Sequence, residues 1–299
     1  MLEEKATKTL KEALEVVDLP KSSYFYKSRE RQPRPLDPKL VLAIEQVRKG
    51  RCEVYGVRKI HKALQAKGFS FNRKKVYRHL KTLKLTQPRR IKGQRWTRPA
   101  LVIPTSPNSY WEMDLTSVWA GSGNSYCCPV IDAFDRDVVG DVFSERCRAQ
   151  ETSLVLEEAV LNRFGGKVPE GHTLTLRIDR GPQFIARRFK ETAKVLNVHL
   201  EYAGIQCPED KPYIESFNGS YKMEEVFRND YGSFAEAKDS WESYRDWYKK
   251  ERLHQSLGYQ SPEAFQKQAL RRPTRGDQVK VNIKPWEHHE QCVASVGPV

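Results

Sequence analysis

No apolar run in this 299-residue sequence comes near the ~18–20 residues of a membrane span. The opening "MLEEKATKTL" lacks the hydrophobic stretch of a signal peptide. A membrane location is thereby disfavoured, and the expectation is a cytoplasmic protein. Cysteine is scarce: six, at positions 52, 127, 128, 147, 207 and 292, with no Cys-x-x-Cys pair. That spacing argues against a disulfide framework or a cysteine zinc site and favours reduced thiols. Cys127 and Cys128 read as small apolar filling in a strand.

Acids are short in one part of the chain. Residues 1–100 hold 27 Lys and Arg against 9 Asp and Glu, whereas the remainder holds 25 against 29. All of the net +14 therefore sits in the first third. Such asymmetry points to a polyanion-binding module joined to a domain with other work to do.

Five segments follow from the patterning. Residues 1–36 read as a helix and a basic, Pro-punctuated connector. Residues 37–85 open with "DPKLVLAIEQVRKG", an Asp-capped helix with Pro in its first turn. There follow a helix over about 56–67, a turn at Gly68-Phe69-Ser70, and a second helix from an Asn72 cap. Arg58 and Lys59 on the first of these, and Arg73, Lys74, Lys75, Arg78 and Lys81 on the second, make a helix-turn-helix layout set for a DNA groove. Residues 86–108 form a linker whose Arg89, Arg90, Lys92 and Arg95 could track phosphates. Residues 109–270 change character. Three strand-like runs, "YWEMDLTSVW", "NSYCCPVIDAF" and "DVVGDVFSER", precede a helix over 149–164 and the strand "HTLTLRID". A helix from about 183 to 196, the strand "VHLEY", and helices over 212–228 and 232–250 complete it. This is a mixed α/β order, in which a right-handed crossover lays the fourth strand beside the first. Residues 271–299 read as a tail, and its "EHHEQC" as disordered more readily than as a metal site.

Three carboxylates stand out. Asp114 falls inside the first strand, where an ionised acid is costly unless paired, edge-exposed or bound to metal. Asp179 ends the fourth strand, and Glu215 opens the helix after "CPEDKPYI". Singly, each has an ordinary explanation as a turn or first-turn residue. Side by side they would repel one another unless gathered around cations, and oxygen ligands without His or Cys select Mg²⁺ or Mn²⁺. Two such ions are a known device for in-line phosphoryl transfer. Asp132, Asp135 and Asp137 read as hairpin-turn acids, Asp132 with a place behind the metal ligands, and His254 as a loop anchor.

The motifs around these acids resemble the DDE transposases of IS-three type insertion sequences, the product of their second open reading frame. "NSYWEMDLT" is similar to the family's first-aspartate motif, "IDRGPQF" to its second, and "YIESFNGSYKMEE" to its glutamate motif, with Lys222 seven positions after Glu215. "YGVRKIHKALQAKGFSFNRKKVYRHLKTLKL" resembles its helix-turn-helix, and "WYKKERLHQSLGYQSPEAF" its closing signature. The likeness runs over about residues 18–266 in five ordered places.

The resemblance implies an RNase H-like catalytic core, shared with retroviral integrases, behind an all-α DNA-binding region. It implies Asp114, Asp179 and Glu215 as catalytic ligands of two Mg²⁺ or Mn²⁺ ions. Arg180 and Lys222 would lie on DNA, Lys222 on the phosphate near the cut. The implied activity is nicking of double-stranded DNA at terminal inverted repeats, then attack of the freed 3′-OH on target DNA. The implied assembly is a homo-oligomer on DNA in a bacterial cytoplasm, at the nucleoid, with an upstream-frame zipper and helix-turn-helix protein as a further partner. A hydrolytic nuclease of the same fold and a non-catalytic DNA-binding regulator of transposition stand as alternatives. Two departures are noted. Ile178 stands where the family commonly has Ser, and Glu209-Asp210-Lys211-Pro212-Tyr213 differs from its usual Asp-Asn-Ala stretch.

Overall fold

The computed structural model describes residues 10–26, 34–87, 102–121, 123–204 and 210–271. Arg89, Arg90, Lys92, Arg95 and "EHHEQC" lie outside them. Two short helices, α1 (Leu10–Val16) and α2 (Lys21–Tyr24), come first. Then α3 (Pro38–Val47), α4 (Val57–Ala66) and α5 (Arg73–Thr82) form a small bundle, with a 3₁₀ turn, Gly50–Val54, after α3. Asp37 caps α3 and Asn72 caps α5, each side chain accepting from the N–H two residues on. The apolar stripes of the three helices meet in a core of Leu40, Ile44, Ile60, Leu64, Val76 and Leu80. His79 is buried there: Nδ1–H donates to the Lys75 carbonyl and Nε2 accepts from Asp37 N–H, tying α5 to the start of α3.

The larger unit is built on six strands: β1 (Tyr110–Met113), β2 (Thr116–Ala120), β3 (Gly123–Asp132), β4 (Val138–Ser144), β5 (Leu174–Ile178) and β6 (Val198–Tyr202). The single strand expected over "YWEMDLTSVW" is two, both antiparallel to β3 on one unbroken register: Met113 faces Val130 and Thr116 faces Cys127. The interruption falls at Asp114-Leu115, so Asp114 lies just past a strand end rather than inside one. The physical reason is desolvation: at the break the Asp114 side chain keeps 20% of its exposure. β5 runs parallel to β1, the crossover placement predicted, and β6 continues parallel beyond it.

Helices cover both faces. α6 (Ala149–Phe164) lies against β4, so close at Gly140 that an added Cβ there would stand 2.8 Å from the Ala159 Cβ. The helix expected over 183–196 is broken by extended Ala186 into α7 (Pro182–Ile185) and α8 (Arg187–Val195). The break lets Phe184 and Phe189 both enter the core on the α6 side, 5.5 Å apart and edge to face. α9 (Pro212–Glu224) and α10 (Phe234–Lys250) cover the other face through Phe217, Tyr221, Trp241, Tyr244 and Tyr248. A further helix, α11 (Pro262–Arg271), follows Ser261-Pro262, a helix-start signal. Cys127 and Cys128 fill opposite faces of the sheet, one in each core. This is a mixed-sheet, RNase H-like core preceded by a helical helix-turn-helix region.

Candidate active site

Strand register decides where the first two acids go. Glu112 on β1 is level with Arg177 on β5. Asp114 and Asp179, each two residues further along parallel strands, therefore come level at the strands' carboxyl ends, where open α/β sheets hold their ligands. Asp179 is turned by its own loop: its Oδ1 accepts from Gly181 N–H at 2.7 Å. A Cβ on residue 181 would stand 2.6 Å from the Gln183 side-chain amide and 2.9 Å from that oxygen, so glycine keeps this turn uncrowded.

A cation already stands between the two acids. The Lys211 ammonium donates to Asp114 Oδ1 at 2.7 Å and lies 3.5 Å from Asp179 Oδ2. Asn218 Nδ2 donates to the other Asp114 oxygen at 3.2 Å. Lys211 is the N-cap of α9 and Asn218 lies two turns along it, so one side of this helix faces Asp114.

Glu112 holds that helix in place. Its buried Oε2 accepts from the N–H groups of Tyr213 and Ile214, at 2.9 and 2.8 Å, in the first turn of α9. Burial pushes its carboxyl pKa up to about 7, against the pull of those two bonds.

Glu215 sits in the same first turn, half-buried, along a cleft of about 380 Å³ with Val54, Gln87, Ser216, Gly219 and Ser220. Among the described residues no three acids stand in a metal-holding arrangement. Asp114 and Asp179 are brought together, with Lys211 and Asn218 against them, and Glu215 waits on the adjoining turn. The donor set nonetheless fits a hard cation. It is all oxygen, an ammonium is its stand-in ion, and Glu112 Oε1 and Asn218 Oδ1 are buried without hydrogen-bond partners among the described residues.

Ile178 is explained by alternation. Leu174, Leu176 and Ile178 point into the α6-side core from β5, Ile178 with no exposure, while Thr175 and Arg177 point to the opposite face. Asp132 is corrected: it pairs with Trp111, three residues from Asp114 and so roughly 10 Å back along the strand. Its oxygens accept from the N–H groups of Asn108 and Phe134, so it stays a turn-builder beside Asp135 and Asp137. His254 is an anchor: buried, edge-on to Tyr248, and held neutral, with its pKa driven down to about 2 by burial and by Arg252. Lys211, Asn218 and Glu112 escaped the sequence reading. Only Lys211 left a trace there, inside the departure at 209–213.

Of the expected DNA contacts, Arg58, Arg73, Lys74, Lys81 and Arg180 are exposed, while Arg78 and Lys222 are half-buried. Lys75 pairs with Asp37 at 2.6 Å. Lys59 lies over the Tyr55 ring at 4.6 Å, its pKa held down to about 8 by burial and then by Arg252. The bundle rests on the core nearby: Arg51 meets Glu225 at 2.6 Å, Arg228 meets Glu53, and Leu253 N–H donates to Tyr55 Oη. A lysine with a depressed pKa works against folding at pH 7. Its folded-state stability is fully present only above the unfolded value of about 10.4 and falls away as pH drops through 8. Lys59→Met is therefore expected to gain about 1–2 kcal/mol at pH 7, the cation–π loss included. The gain shrinks between pH 8 and 10.5, as thermal melts at several pH values would show. An unchanged or lowered melting temperature at pH 7 would refute it.

Three families match this chain in order: an HTH-like domain over residues 35–93, and integrase core domains over 104–207 and 196–262. An uncharacterized 31.7 kDa protein of insertion element IS407 from Burkholderia multivorans is 26% identical over 268 residues, 88% of this chain and 92% of that protein. The putative transposase InsK of IS150 from Escherichia coli is 26% identical, over 87% of this chain and 94% of that one. The putative transposase of IS986/IS6110 from Mycobacterium tuberculosis is 27% identical, over 86% and 99%. Among solved structures, a simian T-cell lymphotropic virus intasome aligns at TM-score 0.48 and 12% identity, over 85% of this chain and 80% of that one. The catalytic domain of the Mos1 mariner transposase aligns at 0.41 and 14%, over 46% and 70%. The chain thus carries an HTH-like domain ahead of an integrase core and is similar, over nearly its whole length, to putative transposases of insertion sequences.

Proposed function

We propose that this transposase nicks DNA at the ends of its insertion element and joins the freed 3′-OH to target DNA. Asp114, Asp179 and Glu215 are its catalytic carboxylates. The reading rests most on one observation, the parallel register that brings Asp114 and Asp179 level around a shared cation. Two Mg²⁺ or Mn²⁺ ions bound there would supply Lewis acidity at the attacking and leaving oxygens. The chain's own part is to hold the oxygens fixed: the Gly181 N–H orients Asp179, Asn218 orients Asp114, and Glu112 fixes the helix that carries Glu215. Lys222, two turns beyond Glu215, lies toward the DNA phosphate. The helix α5, opening with exposed Arg73 and Lys74, reads terminal repeats in a duplex groove.

The chain divides at residues 36, 85, 108 and 270 into connector, DNA-binding unit, linker, catalytic core and tail. It acts as a homo-oligomer in the cytoplasm on nucleoid DNA, with an upstream-frame zipper protein as partner. No helix among the described residues is long and apolar enough to cross a membrane. The test is a strand-transfer assay on oligonucleotides carrying the element's own ends, with Mg²⁺. Joined products are expected. Free 3′-OH ends without joining would make it a nuclease, and binding without cutting a regulator.

A further inference from the structure

Lys211 is an odd residue for the place it occupies. A lysine side chain at 6% exposure needs a reason to be buried, and here the reason is the pair of acids. Its root is fixed. Its carbonyl accepts from Glu215 N–H at 3.1 Å in the first turn of α9. The residue before it is tied twice, Arg177 donating to the Asp210 carbonyl and Asp210 Oδ2 accepting from Gly204 N–H. The ammonium is therefore delivered to the carboxylates by a braced backbone, and only its side chain has freedom to leave.

We propose that Lys211 is the internal counter-cation of the active site. Its ammonium keeps Asp114 and Asp179 together in the metal-free protein and must swing away before a divalent ion can enter between them. Two carboxylates brought level would otherwise repel, and a single ammonium cancels half of their charge. A doubly charged ion held by the same oxygens would face that ammonium at contact range, so the two cannot share the position. The lysine thus preorganises the site and at the same time weakens its grip on metal. The inference rests on the reading of Asp114 and Asp179 as metal ligands.

The test is Mn²⁺ binding to the full chain without DNA, followed by electron paramagnetic resonance, with circular dichroism as the folding control. Lys211→Met, of similar length and no charge, is expected to bind Mn²⁺ about tenfold more tightly than the unmodified protein. It should also melt lower in EDTA and gain more from added Mn²⁺. Lys211→Arg, which keeps the charge, should stay near the unmodified affinity. Lys211→Gln must shift like the methionine variant, and serves if that one does not fold. A lysine that merely supported the fold would give weaker binding when removed. Equal or weaker binding by Lys211→Met and Lys211→Gln, with Asp114→Asn still weakening it in every background, overturns the competition and leaves the metal site standing. Mn²⁺ binding indifferent to Asp114→Asn and Asp179→Asn overturns the metal-ligand reading itself, and the counter-cation with it.

Discussion

Asp179→Asn is expected to lower strand transfer by a factor on the order of 10³ or more, about 4 kcal/mol of barrier, while duplex binding stays within about twofold. The separation follows from where things are. The exposed basic residues at the start of α5 belong to the helical bundle, whereas Asp179 immediately follows β5. Asp179 is 44% exposed; among the described residues it accepts from Gly181 N–H and stands 3.5 Å from the Lys211 ammonium, which keeps its nearer partner Asp114, so its loss should move stability by no more than about 0.5 kcal/mol. Asp114→Asn should abolish joining to the same extent. It should also weaken the metal-free fold, by about 1–2 kcal/mol, because the buried Lys211 loses its nearer negative partner. The double variant should be no less active than either single one, since ligands of one site act as a unit. Joining, gel-shift and melting measurements on the three proteins check all of this. An Asp179→Asn protein keeping a tenth of its joining activity would place the chemistry elsewhere.

Much of this arrangement could be read in the sequence, and the parts that could not have physical causes. Helix caps and apolar periodicity are local, which is why α5 begins behind Asn72 and α6 spans Ala149–Phe164 as predicted. The motif letters pointed to Asp114 and Asp179, which the strands bring level, and the crossover rule put β5 beside β1. What escaped depends on contacts across long separations. Lys211 meets Asp114 across 97 residues, and Glu112 meets Tyr213 across 101. Nothing in "DKPYIES" announces that its lysine will point into a carboxylate pair. The strand break at Asp114 and the helix break at Ala186 also follow from tertiary needs: a solvated carboxylate in one case, two inward phenylalanines in the other. Ile178 departs from the family's serine because its position on β5 faces the core. The docking of the bundle through Arg51 and Glu225 has no local signature, because a surface arginine and an interface arginine look alike in sequence.

Arg252→Met is expected to cost about 3–5 kcal/mol, a fall in melting temperature on the order of 10 °C for a unit of this size. Arg252 and Glu224 are 9% and 5% exposed and joined by a two-point fork, Nε to Oε2 at 2.7 Å and Nη2 to Oε1 at 2.8 Å. Ser220 accepts from the guanidinium at 2.8 Å, and the Tyr248 ring lies beneath it at 5.4 Å. Removing the arginine strands a buried carboxylate whose remaining donor, among the described residues, is Tyr244 Oη at 3.0 Å. The cost is therefore mainly that of an unpaired charge rather than the net worth of the pair. Two further variants separate these terms. Arg252→Lys supplies the charge but not the fork, and should recover less than half of the loss. Arg252→Met combined with Glu224→Leu removes both charges, and should lie within about 1–2 kcal/mol of the unmodified protein. Glu224 ends α9, nine residues after Glu215, so the single variant should also lose joining activity at temperatures where it remains folded. Denaturant melts of the four proteins give the cycle directly. A double variant as unstable as Arg252→Met would mean that the pair itself, and not its stranded half, holds α9 to the closing segment.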